Sequence, residues 1–162
     1  MNKMNEKVFS PAFEGAVQLQ STLMGLTLAF REKYGDEALK ITEAFGEQMG
    51  RKLGNQIKED AKITGSSIQD IELALHCFMD PVVIGPPPKT SIEGKKLTAI
   101  RANPTKCPAL HISKQFNIPL EMVCRTIAFP VFRGIFKAIN PEAKHSNTQI
   151  REERCIDLIE VP

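Results

Sequence analysis

The chain reads as an α+β fold: a helical N-terminal half packed with a small antiparallel sheet and two further helices. Two observations predict it. Apolar residues recur at helical spacing as far as about residue 80, and later segments alternate apolar and polar as half-buried strands do. Between them lies Gly85-Pro86-Pro87-Pro88-Lys89, a stiff and irregular connector. The helical part, about 8–80, and the mixed part, about 92–162, are read as one domain, because the mixed part alone is small for a stable core.

Ser10-Pro11 predicts a helix start, with a hydroxyl cap and proline at the first helical position. Phe13, Val17, Leu19, Leu23, Met24, Leu26, Leu28 and Phe30 follow, and Gly35 after Tyr34 is a stop signal. Asp36 is the cap of a second helix. Ile41, Phe45, Met49, Leu53 and Ile57 form one i,i+4 row on it, and Gly46, Gly50 and Gly54 form another. Each glycine costs about 1 kcal/mol against alanine in a helix interior. A repeated row of them predicts close approach of another helix, within the domain or across a homodimer formed through the Gly46/Gly50/Gly54 helix. Arg51, Lys52, Lys58 and Glu59 exclude a membrane span for it.

A third helix is expected from Ser67 to Met79, with Ile68, Ile71, Leu75 and Phe78 inward and Asp80-Pro81 ending it. Lys96 to Arg101 reads as a strand. Cys107 to Phe116 reads as a short helix, stopped by Asn117 and Pro119. Leu120 to Ile139 is a longer helix that Pro130 should kink. His145–Arg151 and Cys155–Val161 read as two strands joined through Glu152-Glu153-Arg154. In the last strand Cys155, Asp157, Ile159 and Val161 share one face.

Composition narrows the function. The 162 residues are 42% hydrophobic and 25% charged, as in a soluble globular protein. The net charge of +2, from 21 basic and 19 acidic residues, is too balanced to imply a nucleic-acid partner. With one Tyr, no Trp and nine Phe that do not alternate with basic residues, no base-stacking surface is expected. No membrane partner is expected either. The polar stretch Met1–Lys7 is not followed by the apolar region of a secretory signal, so a cytoplasmic location is expected, where thiols stay reduced.

Chemistry is carried by Cys107, Cys124 and Cys155, which fall on three different elements. Cys107 opens a helix after Lys106, where the helix dipole and the cation favour thiolate. His111, four residues on, is expected on the same face as a base or second ligand, which makes Cys107 and His111 the candidate catalytic pair. Cys124 and Cys155 taken singly read as small buried hydrophobes. Taken with Cys107 they are candidate metal ligands, three soft donors suited to zinc or an iron–sulfur cluster, although no CxxC pair is present. Arg101 and Arg125 could each hold a carboxylate, although solvated arginines are the commoner outcome. His145, at a strand start, reads as a surface residue, and the adjacent His76 and Cys77 point different ways.

From Cys107-Pro108 through Cys124 and Asn140-Pro141 to Cys155, the chain resembles the L-2-amino-thiazoline-4-carboxylic acid hydrolase family. Tyr34-Gly35-Asp36-Glu37-Ala38 and the Gly46 to Gly54 stretch are similar to its helical region. More distantly, the layout is similar to that of 4-vinyl reductase-type small-molecule-binding domains. The family often has an Asp shortly after the second Cys and a Gly shortly before the last. Here Arg125-Thr126-Ile127 and Glu152-Glu153-Arg154 occupy those stretches. The resemblance implies a small-molecule ligand and hydrolytic opening of a C–N bond in a small sulfur-containing heterocycle, at a cyclic amidine carbon. The alternative is a non-enzymatic ligand-binding or redox-sensing domain that holds a metal or iron–sulfur cluster on the same thiols.

Overall fold

The computed structural model describes residues 10–162. The polar stretch Met1–Lys7 and the expected helix onset near residue 8 lie outside the described residues. The fold is α+β, and its element order is α1 (Pro11–Tyr34), α2 (Glu37–Asp60), α3 (Ile68–Val82), β1 (Lys89–Glu93), β2 (Lys96–Ala102), α4 (Pro108–Phe116), α5 (Leu120–Val123), a π-helical turn (Cys124–Ala128), α6 (Phe129–Ile139), β3 (Lys144–Ile150) and β4 (Arg154–Glu160).

Local chemistry sets most of these boundaries. Ser10 Oγ accepts the Phe13 N–H at the start of α1, and Gly35 ends it at φ 68°. Ser67 and Asp70 form a reciprocal capping box at α3. Pro81 does not end α3 at Asp80 as expected. The helix continues past it, with Pro81 inside, to Val82. Asp36 gives α2 no side-chain cap, because its carboxylate is held by Arg31 Nε at 2.7 Å.

The strands form one antiparallel sheet in the order β1-β2-β4-β3. β1 is not foreseen from the sequence: Lys89, read as the end of the irregular connector, is already its first residue. One buried cluster joins α3, α6 and the sheet through Ile71, Leu75, Leu97, Ile135, Phe136 and Ile159. A second joins α1, α4 and α5 with the π-helical turn through Met24, Ile112, Val123 and Ile127.

The glycine row is covered within the chain. A Cβ at Gly46 would stand 3.0 Å from Pro130 Cβ, and at Gly54 2.6 Å from Ala138 Cβ. From the other side, a Cβ at Gly134 would stand 2.8 Å from Gly50 Cα. Backbone therefore meets backbone where α2 crosses α6. Of the two neighbours expected for the glycine row, the one within the domain is found: α6 of the same chain occupies the Gly46/Gly50/Gly54 face, so that face is not where a homodimer through this helix could form.

Candidate functional site

The site lies where the first turn of α4, the π-helical turn, the end of α3 and one face of the sheet meet. Register places the sheet residues. In the β2–β4 pairing Arg101 is opposite Cys155 and Ala99 is opposite Asp157, so these four share one face. Pro130 places Cys124. It has no N–H to continue the α-helical ladder, and the chain widens into the π-helical turn, where the Phe129 N–H bonds the Cys124 carbonyl. The kink expected at Pro130 thus takes the form of this turn, which holds Cys124 at 5% exposure. Cys107 is the N-cap of α4, extended at φ −128° and ψ 128°, with its side chain making no capping bond.

All three cysteines line one cavity, together with Arg101, Asp157, Gln20 and a mostly apolar wall that includes Phe78, Met79, Phe129 and Phe132. The cavity has room for one compact small molecule. Burial, and then the neighbouring Cys107 and Cys155, push the Cys124 thiol far above the usual range. Burial also raises Cys155, against the opposing pull of Arg101. Both are neutral thiols at physiological pH, and Cys155 Sγ–H points to the Arg151 carbonyl at 3.7 Å. All four cysteines are free, and Cys77 is exposed away from the cavity lining.

The convergence does not make a metal centre. Among the described residues no group of three or more His, Cys, Asp or Glu side chains is arranged to hold a metal ion. Cys107, Cys124 and Cys155 thus line one cavity without forming such a group.

The Cys107–His111 couple is also corrected. The i,i+4 rule applies to residues inside a helix, and Cys107 is an extended cap outside it. His111 is exposed, packs edge-on to Phe13 with ring centroids 6.5 Å apart, and does not line the cavity. Lys106 places its ammonium over the Phe13 ring, 5.4 Å from the centroid.

Other residues take the polar roles. Arg101 is 8% exposed, and its Nη2 donates to the Met79 sulfur at 3.1 Å. Its buried Nε has no hydrogen-bond partner, and among the described residues no carboxylate pairs with it. Asp157, 5% exposed, has Oδ1 2.9 Å from His145 Nε2 and accepts from Asn147 Nδ2 at 3.1 Å. His145 is not a surface residue: Phe129, Phe132 and Phe136 pack against its ring. The imidazole also lines an outer depression with Glu43, Arg125 and Arg133, so the His145–Asp157 pair links that depression to the cavity. Arg125 itself is exposed and paired with Glu121 at 2.7 Å. The shared face of Asp157 and Cys155 was legible in the strand alternation, but its burial and the pairing of Asp157 with His145 required the sheet.

No helix among the described residues is long and apolar enough to cross a membrane. Comparisons with protein-family models, with curated proteins and with solved structures found no match for this chain.

Proposed function

We propose that this chain is a small-molecule hydrolase that opens a C–N bond of a small sulfur-containing heterocycle, a cyclic amidine bearing a carboxylate, in the thiol-lined cavity. One observation carries the reading: a buried Arg101 guanidinium whose Nε has no hydrogen-bond partner, in the same cavity as the half-buried thiol of Cys107. A buried cation is costly when unpaired, and a ligand carboxylate supplies the missing acceptor with two-point geometry. The resemblance to the thiazoline carboxylic acid hydrolases points to the same substrate chemistry.

In this reading Arg101 holds the carboxylate and Cys107 sulfur adds to the amidine carbon. The thiol proton passes to Asp157, which His145 orients and connects to the outer depression. The ring C–N bond breaks and the nitrogen leaves with a proton. Water then displaces sulfur from the carbon and the thiol is regenerated, so one water is consumed. His111 has no part in the step.

The test is turnover of 2-amino-thiazoline-4-carboxylic acid followed by chromatography. Wild type should open the ring, Cys107→Ala should abolish turnover, and Arg101→Met should raise KM far more than it lowers kcat. Full turnover by Cys107→Ala would sink the mechanism. Saturable binding without turnover would assign a non-enzymatic ligand-binding domain, the reading favoured by the apolar wall of the cavity.

A further inference from the structure

The outer face of the α1–α2 hairpin is unusual for a solvent-facing surface. On α1, Leu19, Leu26, Phe30 and Tyr34 are 54%, 53%, 54% and 59% exposed. On α2, Ile41, Phe45 and Leu53 are 65%, 47% and 39% exposed. Their spacings of four and seven residues put Leu19, Leu26, Phe30 and Tyr34 on one face of α1, and Ile41 and Phe45 on one face of α2, while Leu53 lies on the flank toward Gly46. The α1 face lies away from the buried Val17 and Met24, and the Ile41/Phe45 face away from Gly50. The first part of the apolar i,i+4 row of α2, Ile41 and Phe45, thus points outward, while Ile57 at its end packs against the core and the glycine row takes the core side.

The two stripes meet. A groove of about 500 Å³ between the helices is lined by Phe30, Tyr34, Ala38 and Ile41, with Glu37 at its edge and the buried Thr27–Thr42 hydroxyl pair, 2.7 Å apart, also in its lining. Moreover, α1 carries no charged residue between Glu14 and Arg31. A stretch free of charge suits the centre of an interface, where charged residues are depleted.

We infer that this face joins two copies of the chain in a symmetric dimer, hairpin against hairpin, as a four-helix layer. Area selects a second copy as the occupant. At up to about 200 Å² for a fully exposed side chain of this size, the exposed fractions of Leu19, Leu26, Phe30, Tyr34, Ile41 and Phe45 amount to at most roughly 650 Å². That lies at the top of the roughly 300–600 Å² of the largest patch on a typical monomer. It approaches the roughly 800 Å² that each partner contributes to a standard interface. A two-fold axis places the same stripe on both sides, so the groove of one copy receives the Phe45 ridge of the other. The thiol-lined cavity has a different lining and stays open.

Sedimentation equilibrium on the purified chain tests this. Wild type should have the mass of a dimer at micromolar concentration. Phe45→Glu and Ile41→Glu should each weaken association at least about tenfold by burying a charge, with unchanged far-UV circular dichroism. Leu73→Glu, at the 45% exposed apolar position of α3, should leave the dimer intact, as should removal of residues 1–9. A monomeric wild type, or a dimer indifferent to both charge insertions, overturns the proposal. So does a wild type that sediments as a monomer but co-floats with anionic lipid vesicles, because the face would then serve a membrane surface. Dissociation by removal of residues 1–9 would also overturn it.

Discussion

Replacing Gly50 with alanine puts the α2–α6 crossing under direct strain. The new methyl would stand 2.8 Å from the Val131 carbonyl carbon and 2.9 Å from Val131 Cα, and closer still to the carbonyl oxygen. Ordinary carbon contacts begin near about 3.5 Å, and these obstacles are backbone atoms that cannot swing aside as a side chain can. The helices must part by about 1 Å or the backbone must bend, at an overpacking cost of about 1–3 kcal/mol or more. Alanine returns about 1 kcal/mol of helix propensity, so at the upper end of that range the net loss is about 2 kcal/mol or more. For a chain of this length that lowers Tm by about 4–8 °C. Gly15 is the internal control. It lies in α1, and a methyl placed there would have nothing within 4 Å, so Gly15→Ala keeps the propensity gain and should raise Tm by up to about 4 °C. Differential scanning calorimetry of the two variants beside wild type decides it. Equal stability of Gly50→Ala and Gly15→Ala would refute the reasoning that the glycine row exists for backbone contact.

Glu47 sits between α2 and α6 and accepts from Lys137 at 2.9 Å and Arg51 at 3.1 Å, with Arg133 Nε at 3.0 Å. Burial raises its pKa, but the hydrogen bonds and charges of Lys137, Arg51 and Arg133 outweigh it and hold the carboxyl below its ordinary value. A depressed carboxyl adds stability above the unfolded pKa and loses it as pH falls through the folded one. Urea unfolding should therefore show Glu47→Gln less stable by about 1–2 kcal/mol at pH 7, with the gap closing well below pH 4.5. At the alkaline end the sign reverses. Cys124 and Cys155 are raised above 9.0, so above that pH the unfolded chain loses protons that the folded chain keeps. The contribution of these thiols should be flat below about pH 9 and then fall, by up to about 1.4 kcal/mol per pH unit for Cys124 and less for the more accessible Cys155. Cys124→Ala should flatten that limb, and an unchanged slope would contradict the burial of the thiol.

Much of the fold was legible because its signals are local. Ser10-Pro11 and Gly35 bracket α1, Ser67 caps α3, and the alternation along β4 puts Cys155 and Asp157 on one face. β1 was hidden because the proline run before it masks a short edge strand. The small-residue row of α2 announced a close helix neighbour. Only tertiary structure could identify that neighbour as α6, turning the adjacent Ile41/Phe45 row outward. The three cysteines were candidates for one site in the sequence, but only the packing of α4, the π-helical turn and β4 brings them to one cavity. His111 failed because a cap residue does not share its helix's face. His145 and Arg101 were undervalued because a polar residue's burial depends on strands far apart in sequence. Arg101 on β2 faces Cys155 on β4, and His145 on β3 finds Asp157 through the β3–β4 register.

The central claim is that Arg101 presents a carboxylate to Cys107. Two alkylating agents of nearly the same shape test it directly: iodoacetate, which carries a carboxylate, and iodoacetamide, which does not. The rate of Cys107 modification by each is read by peptide mass spectrometry, with the exposed Cys77 as the internal reference. The account predicts that Cys107 favours iodoacetate relative to Cys77, that Arg101→Met abolishes the preference, and that Cys77 is unaffected by that change. A Cys107 whose preference matches that of Cys77, or survives loss of Arg101, would contradict it.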